Sequence, residues 1–323
     1  MRHVRMLGFC LVAMVALGAM LASSALAIKE PDVAWAKFKN CPIHGEATFE
    51  EEVKPAFKCT FGATRKGEGG SYTVGSITVP VTKPILLQGA YTEPEGKTRE
   101  EHIAHERLGI LIPPEDGAPP IVPVAEHVPG EPLANVTEAE MNEFGWPEEL
   151  EQSYKAAQKH HWFKEGKTTE VIEPAGADRD YVSEFNISSE EGSAIIASIQ
   201  IQGKNKWLES IGGNCQIGSE ADPIVQHLTT GPSESPLTGE IITGTSGIAG
   251  DAHEALEAYL TGTVLVDNTY PVPGAEKCGG AANEAYLDPV VNHAFGLPAV
   301  AGASKTELIG ALYIAQPGPV SEH

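Results

Sequence analysis

Ser71-Tyr72-Thr73-Val74-Gly75-Ser76-Ile77-Thr78-Val79 carries the pattern on which the fold reading turns. Apolar side chains at 72, 74, 77 and 79 alternate with small polar ones, as expected of strands with one face on a core. The alternation slips at Gly75-Ser76, which reads as a bulge or a turn within a strand pair. Pro80 and Pro84 interrupt, and Ile85-Leu86-Leu87 reads as a short buried strand ending at Gly89.

The same period returns in Tyr181-Val182-Ser183-Glu184-Phe185-Asn186-Ile187 and in Ala197-Ser198-Ile199-Gln200-Ile201. Short apolar runs follow at Ile224-Val225, Ile241-Ile242, Thr263 to Val266 and Leu308 to Ile314, with Gly, Pro, Ser and Asn between them. Many short strands with frequent turn residues predict a mainly β fold, an antiparallel β-sandwich or barrel. Ala252 to Tyr259 reads instead as helix by propensity, with Asp251 as N-cap and Glu254 three residues on.

Residues 92–180 differ in kind, being charged and Pro-rich from Ile112 to Pro132. Thr137-Glu138-Ala139-Glu140 is a capping-box pattern. Pro147 stands where a first helical residue would, and Leu150, Tyr154, Ala157 and His161 recur on one helical face. Gly166 is the expected stop, and one of His160 and His161 is expected to cap the C-terminus. The predicted organisation is a β-rich domain over 28–91 and 181–316, a partly helical, irregular insertion over 92–180, and a flexible tail over 317–323.

Met1 to Arg5 is basic, Met6 to Ala22 has no charge, and Ser23-Ser24-Ala25-Leu26-Ala27 ends in a small-x-small pattern. Residues 1–27 therefore read as a cleavable secretory signal, which would take Cys10 with it. Its removal leaves 296 of 323 residues and no other stretch apolar enough for a membrane span. The leader holds two of the 22 basic residues and none of the 44 acids, so 20 against 44 remain, a net charge of −24. That charge repels phosphate backbones, and nucleic-acid binding is not expected.

Cys41, Cys59, Cys215 and Cys278 remain, an even number that fits disulfides in an oxidising compartment. Three pairings are possible. The simplest joins nearest neighbours, Cys41 to Cys59 and Cys215 to Cys278, closing loops worth roughly 3 and 4 kcal/mol on the chain-entropy model.

Several strings resemble an uncharacterised family of exported, cysteine-paired actinobacterial proteins of unknown function. They include Asn40-Cys41-Pro42, Cys59-Thr60-Phe61-Gly62, Gly213-Asn214-Cys215-Gln216-Ile217-Gly218-Ser219, Leu228-Thr229-Thr230-Gly231, Val266-Asp267-Asn268, Cys278-Gly279-Gly280 and Gly296-Leu297-Pro298. The similarity covers roughly 38–90 and 181–316. It implies an exported, disulfide-bonded, β-rich protein and carries over no catalytic residues.

The sequence holds no sharp catalytic motif. Gly244-Thr245-Ser246-Gly247-Ile248 lacks the last glycine of a nucleophile elbow, and Gly302-Ala303-Ser304-Lys305-Thr306 lacks the Gly-Lys pair of a phosphate loop. His102 and His105, with Glu106 or Glu101, form the best candidate metal set, competing with a plain solvated turn. Asp251 and His253 have the residue types for acid–base work, with Ser246 and Asp222 as partners on paper. Trp35, Trp146, Trp162 and Trp207, with Tyr72, Tyr181 and Tyr259, are scattered and read as core ahead of a sugar platform.

These observations predict a secreted or cell-envelope-associated, non-catalytic structural or interaction protein, without a cofactor, whose partner would be an envelope or extracellular component. A secreted hydrolase of polysaccharides or esters is the alternative, and weak metal binding a further one.

Overall fold

The computed structural model describes residues 56–61, 69–92, 110–112, 121–175, 182–185, 193–233, 241–252 and 257–315. The chain first builds one sheet with β1 (Ala56–Phe61), β2 (Gly70–Val74), β3 (Ile77–Pro80), β4 (Ile85–Thr92), β5 (Ile110–Ile112) and β6 (Ile121–Val122). It then builds a second with β7 (Val124–His127), β8 (Thr169–Pro174), β9 (Val182–Phe185), β10 (Ile195–Lys204), β11 (Cys215–Ile217) and β12 (Ile224–Leu228). Next come β13 (Ile248–Ala252) and β14 (Glu257–Asp267) in the first sheet and β15 (Ala275–Glu276) in the second. β16 (Thr306–Ala315) closes the first.

The first sheet runs β13-β14-β16-β1-β4-β5, with β2 joined to β16 and β3, and β6 to β4. The second runs β15-β11-β10-β8-β7, with β9 and β12 also on β10. All pairings are antiparallel, and neither sheet closes into a barrel among the described residues. Pro123 stands where the chain leaves β6 and enters β7, and it has no N–H to offer either ladder.

The opening stretch folds as its alternation predicts. Gly75-Ser76 is a two-residue turn between β2 and β3, pairing Val74 with Ile77 and Tyr72 with Val79. Gly75 has φ +59, and a Cβ there would fall 2.1 Å from the Phe295 carbonyl oxygen, so only glycine lets the turn dock on that backbone. In β10, alternate residues Ile195, Ala197, Ile199 and Ile201 are buried and their neighbours half-buried. The inward rows of both sheets share one apolar core.

Among the described residues four α-helices lie beside the sheets: α1 (Glu138–Glu143), α2 (Glu148–Lys159), α3 (Lys206–Ile211) and α4 (Glu284–Phe295). The capping box forms, with Thr137 Oγ1 accepting from Glu140 N and the Glu140 carboxylate accepting from Thr137 N. Helix α2 buries Leu150, Tyr154 and Ala157 as their spacing predicts. Trp146, Tyr154, Phe163 and Trp207 close into one aromatic cluster, with Tyr154 and Trp207 centroids 5.2 Å apart. Trp146 and Trp207 are therefore core residues.

Several expectations are corrected. The described ends of Ala252 to Tyr259 are strand and not helix: Asp251 and Ala252 lie in β13, and β14 pairs with β16 from Glu257 to Asp267. Ten residue pairs in that ladder outweigh the helix propensity of Ala, Glu and Leu, because propensity yields to tertiary pairing. Pro147 precedes α2 as its N-cap. His161 leaves the buried face because the helix ends earlier, at Lys159, with His160 as C-cap and His161 at φ +60. His161 N donates to Gln158 O and Trp162 N to Ala157 O, the bond pair of a Schellman close. Gly166 therefore sits in a later turn. Ile241-Ile242 is not a strand. Residues 92–180 supply β5, β6, β7 and β8, and β8 lies between β7 and β10. The predicted leader and tail lie outside the described residues.

Candidate functional site

Register places unusual chemistry inside the fold. Glu126 of β7 stands opposite Glu170 of β8, which stands opposite Gly203 of β10, which stands opposite Cys215 of β11. The next inward row is Val124, Ile172, Ile201 and Ile217. Because strand side chains alternate, Glu170 shares its face with Ile172 and points into the core. Both glutamates are buried, Glu126 at 1% exposure and Glu170 at 0%.

Their hydrogen bonding separates them. Glu126 accepts from Thr82 N at 2.8 Å, Thr82 Oγ1 at 2.6 Å and Lys83 N at 2.7 Å, pinning the β3–β4 loop of one sheet to the other. Glu131 similarly accepts from Lys167 N, Thr168 N and Thr168 Oγ1. Asp267, at 0% exposure, accepts from His227 N, Thr269 N and Thr269 Oγ1. A buried charge costs far less when hydrogen bonds replace its water, as these three carboxylates illustrate.

Glu170 is different. Neither of its oxygens, nor the buried Tyr72 hydroxyl, has a hydrogen-bond partner among the described residues. Burial pushes the Glu170 carboxyl up to about 7; the phenol of Tyr72 works the other way, without reaching hydrogen-bond geometry. Tyr72 is itself held well above its ordinary value, first by burial and then by the Glu170 charge. Tyr72 also lines a cavity of about 60 Å³ between the sheets, walled by Ile85, Leu87, Ile172, Ile199 and Ile201 among others. That volume is enough for one or two waters.

At another part of the cavity wall, Gln226 Nε2 donates to Thr306 Oγ1 at 2.8 Å, and Tyr270 and Thr306 share a 2.8 Å hydroxyl pair. These bonds join the two sheets. A bridge between Thr229 and Val266 joins them again, with reciprocal bonds of 2.9 Å.

The predicted site residues distribute as follows. Cys215 and Cys278 form a disulfide across 63 residues. Cys41, His102, His105, Glu106, Glu101 and His253 lie outside the described residues, as does the side chain of Cys59. Ser246 leads into β13 of one sheet, while Asp222 sits in the turn before β12 of the other. No hydrogen bond joins them: Asp222 N donates to Ser219 Oγ instead. Among the described residues no three His, Cys, Asp or Glu side chains converge as metal ligands. No described helix is long and apolar enough to cross a membrane.

Glu126 and Glu170 were not distinguished by the sequence motifs above. Their one signal is parity, since each is a charge two residues from apolar positions on the same strand face: Val124 for one and Ile172 for the other. Comparison of the chain with protein-family models, curated proteins and solved structures finds no match.

Proposed function

We propose that the protein is a non-catalytic structural or interaction module, exported and acting at the cell envelope or beyond it. The leader pattern and the Cys215–Cys278 disulfide support an oxidising compartment. One observation carries the non-catalytic part. Glu170 has the proton affinity expected of a general acid at neutral pH, yet it is fully enclosed between the sheets. Glu126, Glu131 and Asp267 are engaged by backbone donors of neighbouring loops, which is the work of a frame. The binding surface would then lie on the outside of this frame.

The test is a hydrolase screen on polysaccharide and ester substrates with the purified secreted protein and its Glu170→Gln and His253→Ala variants. The expected result is no turnover by any of them. Turnover by the wild type that either substitution abolishes, with folding intact, would replace this reading with the secreted hydrolase.

A further inference from the structure

Five of the chain's 22 Lys and Arg residues gather at one end of the second sheet, on a protein whose net charge is −22. Lys159 ends α2, Lys164 and Lys167 come from the segment that follows it, and Lys204 and Lys206 from the junction of β10 and α3. Asn205 ties the two segments together: its Nδ2 donates to Trp162 O and to Thr168 Oγ1, both at 3.0 Å. The register Thr169 to Lys204 fixes the same juxtaposition.

Trp162 stands at the centre, half-buried. The Schellman close of α2 puts it there, and its ring is stacked by His160 at 5.7 Å and covered by Lys206 Nζ at 5.0 Å. None of the five lysines forms an ion pair with a described carboxylate, whereas Lys155 nearby pairs with Glu138 and Glu151, and Lys277 with Glu276. Glu165 is the acid within this loop, and it is exposed. Unpaired like charges held together repel, and an acidic protein has ample carboxylates with which to neutralise them.

We propose that this end of the fold binds an acidic polysaccharide, a saccharide chain bearing carboxylates, and the proposal rests on the interaction-module reading above. Lysines supply separated point charges without the planar fork that arginine offers to phosphate, and no arginine stands among the described residues of the patch. The Trp162–His160 stack offers an apolar, ring-shaped contact for sugar faces. The acidic remainder of the surface disfavours a broad anionic face such as a bilayer or a duplex, while one flexible chain can cross the patch alone.

The experiment is calorimetric titration of the secreted full-length protein with polygalacturonate, with neutral dextran and an oligothymidylate as comparisons. Binding to polygalacturonate alone is expected, weakening as salt rises from about 50 to about 200 mM. The Lys164→Glu/Lys206→Glu variant, altered only at exposed positions, should bind at least about tenfold more weakly with an unchanged circular-dichroism spectrum. Trp162→Ala should weaken binding about equally at both salt concentrations. The proposal is overturned by no binding at low salt, by equal binding of the charge-reversed variant, or by tighter binding of the oligothymidylate. Reducing ends are assayed in the same samples: cleavage would refute the non-catalytic reading and leave the surface standing, whereas absent binding refutes the surface alone.

Discussion

Glu126 and Glu170 face each other across the β7–β8 ladder, both buried, and only Glu126 is hydrogen-bonded. The difference follows from what lies beyond each side chain. Glu126 meets the backbone of the β3–β4 loop, whose N–H groups satisfy it. Glu170 has the missing side chain of Gly203 on its other flank and the Tyr72 ring near it.

Glu170 should therefore make stability fall as pH rises. Its carboxyl is held up to about 7 in the fold, against the ordinary 4.5 expected of the unfolded chain. Below about 4.5 both states hold the proton and the fold is not penalised. Between there and 7 the unfolded chain releases it first, so the fold loses about 3 kcal/mol, with no further loss above. Glu170→Gln should raise the melting temperature at pH 8 and change it little at pH 4. Thermal melts of both proteins across that range, compared as differences, check this; an equal shift at both ends would contradict it.

Glu126→Ala should act in the opposite direction at neutral pH. It strands Thr82 N, Thr82 Oγ1 and Lys83 N and cuts the loop that links the sheets, a loss of about 2–3 kcal/mol. Urea unfolding measures the loss, and native-state hydrogen exchange should show earlier exchange at Thr82 and Lys83 than in the wild type.

How far these features were legible in the sequence depends on the range of the interaction that creates them. Gly75-Ser76 and Thr137 to Glu140 are local devices, a turn and a cap, and both formed where their residues placed them. Leu150, Tyr154 and Ala157 kept their face, but the close at His161 required an αL residue that periodicity does not encode. The helical reading of Ala252 to Tyr259 failed at Glu257 to Tyr259 because β16, some fifty residues away, dictates a strand there. Glu170 shows only as a charge at inward parity. Its burial depends on Tyr72 from the other sheet, and no local pattern records that. The lysines around Trp162 lie in two segments some forty residues apart, joined by Asn205.

The disulfide corner should be intolerant of any side chain at Gly280. Its φ is +73, and a Cβ would fall 2.5 Å from the Gly212 carbonyl oxygen, beside the Gly279 N to Gly213 O bond of 3.0 Å. Gly280→Ala should destabilise the fold by at least about 2 kcal/mol, from backbone strain and forced separation together. Chemical denaturation reads the loss. Non-reducing mass mapping should also show slower recovery of the Cys215–Cys278 bond on oxidative refolding, because the two cysteines approach through this contact.

Deleting residues 95–175 should abolish folding. The segment carries β8, which pairs with β10 at six positions and with β7 at four, so its loss leaves the long β10 unpaired from Ile199 to Lys204 on that side. It also removes Trp146, Tyr154 and Phe163 from around Trp207, which is 1% exposed. An exposed edge beside an uncovered tryptophan favours aggregation over a smaller soluble core. The deletion should appear in the insoluble fraction, or as soluble aggregate without near-ultraviolet circular dichroism. A monomeric, cooperatively melting product that keeps the Cys215–Cys278 bond would show that the first sheet and the remaining strands of the second fold without β8, and the register described for β10 would then not be the one that holds the sheets together.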